Sequence, residues 1–205
     1  MKFSRKTLFL IVCGALCAVI LSCATTGGAT GGDGIGAGVL ATGEWVTFND
    51  LNDNGSSTAT ITEAQEVING ETVTVYNVKG NVTTKFQYGF AGWGLDQDEA
   101  TLELYKTAKA FSFWILGDGK AYSIKFKTSN VSDHAYFEYR FSTEPGEPVF
   151  VEVPVGFFMQ PSWGQPVRKN LTLATGIEWQ THESWRRPGD VNPFEIKTWG
   201  FKVHN

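Results

Sequence analysis

The sequence predicts an all-β fold: an antiparallel two-sheet β-sandwich of about ten short strands with little helix. Three observations carry that expectation. From Glu44 onward the chain is rich in Val, Ile, Thr, Phe, Tyr and Trp, the residues that suit a pleated, half-buried surface. Its apolar residues recur at period two. The apolar runs are separated by clusters of Gly, Asn, Asp and Pro, which close turns.

In chain order, strands are predicted at residues 45–48, 72–78, 84–91, 100–105, 110–116, 121–128, 136–141, 149–153, 176–180 and 194–203. Alternation is sharpest in 121–128, where Tyr122, Ile124 and Phe126 share one face and Ser123, Lys125 and Lys127 share the other. One side of that strand faces the core and the other faces solvent. Residues 110–116 are almost wholly apolar and read as a central strand. The Gly117-Asp118-Gly119 step after them suits a primed hairpin turn, so 110–116 is expected to pair with 121–128. No window carries the amphipathic period and caps of a helix.

The N-terminus precedes this domain and reads differently. Lys2, Arg5 and Lys6 lead into LFLIVCGALCAVIL, a 14-residue apolar stretch at 8–21 that has the layout of an export signal. At about 1.5 Å per residue it is too short to span the roughly 30 Å core of a bilayer as a helix. Ile20-Leu21-Ser22-Cys23 then looks like a bacterial lipobox, with Cys23 the residue that receives the lipid. Residues 24–43, ATTGGATGGDGIGAGVLATG, hold eight glycines in twenty and read as a flexible tether with an r.m.s. span of about 25 Å. The expected organisation is a signal peptide at 1–22, a lipidated Cys23 with its tether to 43, and a folded domain at 44–205. The expected location is the bacterial cell envelope, periplasmic or surface-exposed, with the membrane reached only through the lipid.

Composition narrows the function classes. Of 205 residues, 42% are hydrophobic and 19% charged, as in one globular domain. Three of the 17 cations precede Cys23 and no acid does, so the remainder holds 14 cations against 21 acids, a net charge of −7. With no basic run longer than Arg186-Arg187, a nucleic-acid partner is not expected. All three cysteines lie within the first 23 residues, so cleavage before Cys23 leaves no pair for a disulfide. Three histidines and no G-x-S-x-G elbow, phosphate loop or Cys-x-x-Cys give no catalytic assignment, and the chain is not expected to be an enzyme.

The order of features between 110 and 164 is more specific than generic β character. FSFWILGDGKAYSIKFKTS is followed by HAYFEYRFST and then by EPVFVEVPVGFFMQPSWG, a strand ending in Val153-Pro154 before a Phe-rich segment and Trp163-Gly164. Over residues 84–203 this resembles the galactose-binding-like jelly rolls, in particular family 11 carbohydrate-binding modules and the related complex I intermediate-associated protein 30 family. The resemblance implies a jelly-roll sandwich that binds a ligand, often a β-glucan, on a concave face, sometimes with a structural calcium near the chain ends. It also implies an alternative for the assembly branch: a jelly roll that holds a protein partner.

Sugar rings stack their C–H faces on exposed aromatic rings and pair their hydroxyls with polar side chains, so tryptophans in turns are the natural candidates. Trp93 lies in AGWGLDQD between glycines, with Asp96 following; Trp163 lies between Pro161 and Pro166; Trp185 stands beside Arg186 in HESWRR. These five residues, Trp93, Trp163, Trp185, Asp96 and Arg186, form the expected oligosaccharide or polysaccharide site. Asp50-Leu51-Asn52-Asp53-Asn54-Gly55 matches the first half of a calcium loop, with Asp50, Asn52 and Asn54 as candidate ligands. Its second half is missing, since Ile61 stands where the bidentate Glu belongs, and an Asn-Gly hairpin turn reads the same way.

Overall fold

The computed structural model describes residues 37–181 and 191–205. The signal segment, Cys23, Trp185 and Arg186 lie outside the described residues. Within them the fold is the expected antiparallel sandwich. The strands are β1 (Val39–Leu40), β2 (Gly43–Asn49), β3 (Thr58–Ile68), β4 (Glu71–Thr83), β5 (Ala91–Gln97), β6 (Ala110–Leu116), β7 (Ala121–Thr128), β8 (Phe137–Ser142), β9 (Pro148–Pro154), β10 (Ala174–Thr181) and β11 (Val191–His204). One sheet has the order β3-β4-β11-β6-β9, with β1 also on β11, and the other has the order β2-β5-β10-β7-β8.

Inward side chains of both sheets meet in an aromatic core. Trp93 and Trp179 stack with centroids 6.2 Å apart and planes 3° apart, and Phe113 and Phe201 meet the Trp179 ring edge-on at 5.4 and 5.0 Å. β11 lies between β4 and β6, pairing with β4 over Val191–Thr198 on one edge and with β6 from Lys197 to His204 on the other. The β6 pairing shifts register between Trp199 and Lys202, and Gly200 takes up that bulge at φ +64°, a conformation side chains resist.

Four local expectations are corrected. Residues 100–105 are not a strand but lie in a helix, α1 (Glu99–Lys106), whose alternating Leu102 and Leu104 mimic period two. The helix wins because Asp98 caps it, accepting from Thr101 N at 2.8 Å and from Thr42 Oγ1 at 2.6 Å, while Thr101 and Tyr105, four apart, are buried. Residues 84–90 form a connection rather than a strand, and the strand resumes at Ala91. β3 was not expected because its Thr- and Glu-rich sequence is an edge strand on which only Ala59 and Ile61 pack toward the core. Finally, β6 and β7 do not pair. Each sits in a different sheet, and the Asp118 turn carries the chain across, with Asp118 Oδ1 accepting from Tyr122 Oη at 3.0 Å.

The folded part also begins earlier than expected. Val39 pairs with Val203 and Leu40 with Lys202, so the end of the Gly-rich segment is already a strand of the sandwich.

Candidate functional site

The outward face of the five-stranded sheet is built by register. Across β2, β5, β10, β7 and β8, one row runs Val46, Gly94, Glu178, Lys125, Glu138, and the next runs Phe48, Gly92, Gln180, Ser123, Arg140. A third row sets Glu44 beside Asp96 and Gly176 beside Lys127. Successive residues of a strand point to opposite faces, so the partners of these positions, Trp93, Ile177, Trp179, Ile124 and Phe126, fill the core. Glycine at 92, 94 and 176 leaves the middle of the face low. At Gly92 the reason is contact: a Cβ there would stand 2.3 Å from Phe48 Cζ, so the Phe48 ring lies over that strand.

The polar side chains of the face are paired with one another. Lys127 Nζ is 3.0 Å from Glu178 Oε2 and 5.2 Å from the centre of the Tyr136 ring. Burial alone would lower the Lys127 pKa, but the Glu178 charge and hydrogen bond, with Tyr136, outweigh it and hold it above the usual lysine range. Lys125 Nζ donates to Gln180 Oε1, and Arg140 Nη2 is 2.9 Å from Glu138 Oε1. Donors and acceptors therefore alternate over a low floor.

One rim of the face carries further aromatic surface. Met159 exchanges two backbone hydrogen bonds of 2.9 Å with Glu138 and so extends the sheet beyond β8. The segment after it folds back on itself: Gln160 accepts from Val167 N at 2.9 Å and donates to the Gln165 carbonyl at 2.9 Å. Asp133 accepts from Gln165 N at 2.6 Å and from Ala135 N at 3.1 Å, and these bonds hold its carboxyl below the usual range. They also fix the segment bearing Trp163, 67% exposed, against the turn that presents Tyr136.

The candidates named from sequence separate on this geometry. Asp96 is on the face and Trp163 is at its rim. Trp93 is not a loop residue: it lies on β5, is 0% exposed, and sits between Trp179 and Tyr122. No ring can stack on it while the sandwich is intact, and its flanking glycines point to the opposite face. The calcium candidates separate as well. Asp50 is buried, and its carboxylate accepts from Ser57 N at 2.8 Å, Ser57 Oγ at 2.7 Å and Phe90 N at 3.3 Å, while Asn52 and Asn54 are exposed. Hydrogen-bond donors satisfy that carboxylate, and the described residues hold no group of three or more His, Cys, Asp or Glu fit for a metal. Glu178, Gln180, Arg140 and Tyr136 were not named from sequence. The signal that could have found them is the polar half of the alternation already visible in Ser123, Lys125 and Lys127.

The model of the family described as Complex I intermediate-associated protein 30 matches residues 39–177. The chain belongs to this family. No curated protein matches. Among solved structures, the family 11 carbohydrate-binding module of the cellulosomal cellulase Lic26A-Cel5E of Clostridium thermocellum aligns with a TM-score of 0.50 at 18% identity, over 81% of this chain and 88% of that one. An exo-beta-agarase aligns with a TM-score of 0.48 at 9% identity, over 82% of this chain and 25% of that one. The low affinity xylan binding module CBM86 from Roseburia intestinalis aligns with a TM-score of 0.30 at 12% identity, over 78% and 97%. The likeness to the first shows a shared two-sheet β-sandwich fold.

Proposed function

We propose that this member of the Complex I intermediate-associated protein 30 family is a non-catalytic carbohydrate-binding domain of the bacterial cell envelope, held to a membrane by a lipid on Cys23. The observation that carries the reading is the outward face of the five-stranded sheet. Its glycine-floored centre is bordered by Tyr136 on one side and Phe48 on the other, with Trp163 exposed at the rim. The face suits a neutral oligosaccharide in two ways. Aromatic surface at the rim accepts the C–H faces of pyranose rings, and the paired side chains of Glu178, Lys127, Gln180 and Lys125 offer donors and acceptors at fixed spacing to hydroxyl groups. Because Glu178 and Lys127 already neutralise one another and Lys125 is hydrogen-bonded to Gln180, a neutral ligand strands no charge of the Glu178–Lys127 pair. The fold shared with a family 11 module supports the same reading.

A glycan-array screen of the full chain tests it. Saturable binding to a β-glucan or another oligosaccharide, lost when Tyr136 and Trp163 are both replaced by Ala, is expected; a blank from the folded chain refutes it. Fatty-acid labelling that disappears in Cys23→Ala is the corresponding test of the anchor.

A further inference from the structure

The sandwich is open along the side where β8 ends one sheet and β9 ends the other. Between these edges lies a groove of about 500 Å³ lined by Tyr139, Phe141, Val149 and Val151 from the inward faces and by Arg140, Ser142, Phe150 and Glu152 from the outward ones. Phe141 and Val151 are 8% and 7% exposed, so the groove reaches the core.

Backbone hydrogen bonding selects what fits there. In β9, Val155 N donates to the Lys109 carbonyl, in register with the β6 pairing, so odd-numbered residues bond to β6 and even-numbered ones face away. In β8, Thr143 N donates to the Lys120 carbonyl, which gives the same parity against β7. Glu138 is outward and is taken by Met159; Arg140 and Ser142, outward as well, have no strand beside them among the described residues. The outward positions of β9 are Pro148, Phe150, Glu152 and Pro154. Two of these are prolines without an N–H, which blunts both ends of the edge and leaves Phe150 and Glu152 as its donors. The four residues with outward backbone groups, Arg140, Ser142, Phe150 and Glu152, are therefore the four that β8 and β9 contribute to the groove from their outer faces, beside Ala121 of β7.

We propose that this groove is a strand-addition site for an extended polypeptide segment that alternates apolar and basic residues. A segment paired on the β9 edge places every second side chain inward over Phe141, Val149 and Val151, where an apolar branched residue fits. The intervening side chains lie beside Glu152, and Glu144 and Glu147 are exposed in the turn that joins the two edges. The one cation of the lining, Arg140, is committed to Glu138. The rim is thus acidic and calls for lysine or arginine at the outward positions. The groove adjoins the glycan face only at Arg140, and the proposal does not rest on that face binding a glycan.

The test uses the full chain and short capped peptides: one alternating valine and lysine, one alternating valine and glutamate, and one valine–lysine peptide interrupted by proline. Residue-resolved amide exchange is followed on β9. In the free chain, Phe150 and Glu152 amides exchange quickly while Val149 and Val151 are protected. The valine–lysine peptide slows Phe150 and Glu152 exchange, the proline-interrupted peptide does not, and the valine–glutamate peptide binds roughly tenfold more weakly. Glu152→Pro, which removes an outward N–H, weakens binding by roughly tenfold. Glu152→Lys, a surface change that does not depend on proline being tolerated, reverses the preference between the two charged peptides. Unchanged exchange at Phe150 and Glu152 with the valine–lysine peptide overturns the proposal, as does binding indifferent to Glu152→Lys. Sedimentation showing that the free chain is a dimer joined through β9 overturns it as well, because the edge is then taken by a second copy.

Discussion

Asp50 decides between two readings of one loop, and its replacement gives a large, signed effect. The carboxylate is 0% exposed and accepts two hydrogen bonds from Ser57 and one from Phe90 N, while Ser57 Oγ itself accepts from Thr83 N at 3.0 Å. It thereby ties the start of β3 to the end of β4 and to the entry of β5. Gly55 is part of the same arrangement, because a Cβ there would stand 2.1 Å from Asp50 Oδ1. Asp50→Ala leaves two backbone N–H groups and a hydroxyl without their acceptor. At ~1–3 kcal/mol for each buried donor left unsatisfied, and with the hydroxyl free to reorient, the cost is about 3–5 kcal/mol. Against a total stability of about 5–15 kcal/mol this is a large share, and at 2–4 °C per kcal/mol for a chain of this size it lowers Tm by roughly 10 °C. Asp50→Asn keeps one oxygen but turns an amide N–H toward donors, and costs about 2 kcal/mol. The assay is chemical denaturation of wild type and both variants, each with calcium and with chelator. The reasoning is refuted if Asp50→Ala costs less than about 1 kcal/mol, or if calcium stabilises the wild type and not the variants, because the carboxylate would then be a cation ligand after all.

Three further outcomes follow from the same geometry. Trp163→Ala is expected to weaken glycan binding by about tenfold or more with almost no change in denaturation midpoint, whereas Trp93→Ala costs about 3–5 kcal/mol of stability; titration calorimetry paired with denaturation separates the two. Tyr105 is buried with its hydroxyl unpartnered among the described residues, so Tyr105→Phe stabilises the fold at neutral pH by about 1 kcal/mol, read as a rise in denaturation midpoint. Burial, with the Asp98 and Asp118 charges adding, also pushes the Tyr105 and Tyr122 hydroxyls well above the usual tyrosine range, and Lys127 is raised as well. These groups keep their protons in the folded state after the unfolded chain has lost them, so their contribution is complete below the unfolded values and declines as pH rises past about 10. Denaturation from pH 8 to 11 should show that decline, and Tyr105→Phe should flatten it.

What the sequence made legible was whatever a single strand decides for itself. β7 shows its two faces without help, since Tyr122, Ile124 and Phe126 are buried while Lys125 and Lys127 stay partly open. Pairing was not legible, because it is decided by partners distant in the chain. The Gly117-Asp118-Gly119 step has hairpin chemistry, yet β6 is claimed by β9 and β11 and β7 by β8 and β10, so the turn bridges sheets. α1 was hidden because eight residues carry too few turns for a helical period to stand out against two leucines at spacing two. Its cap was readable, since Asp98 precedes Thr101 by the spacing a side-chain cap needs.

The site was misplaced for a related reason. Glycines on both sides of Trp93 suggest an exposed ring if the segment is a turn, and the opposite if it is a strand. In an extended chain Gly92 and Gly94 share one face while Ala91, Trp93 and Leu95 share the other, so a Gly-Trp-Gly step puts its large ring inward and its empty positions outward. The same pattern that buries the tryptophan therefore lowers the floor of the outward face. β10 repeats the arrangement, with Gly176 and Glu178 outward against Ile177 and Trp179 inward. β5 and β10 thus send their bulk to the core and set Gly92, Gly94 and Gly176 on the surface, while Glu178 and Gln180 of β10 and Phe48, Lys125 and Lys127 of the strands on either side stand around them. A low strip walled by side chains is a consequence of that division. Filling it from below, with Gly94→Ala and then Gly94→Leu, should weaken glycan binding stepwise while Trp93 stays buried, which competitive binding and tryptophan fluorescence can follow together. Binding that survives Gly94→Leu unchanged would place the ligand elsewhere.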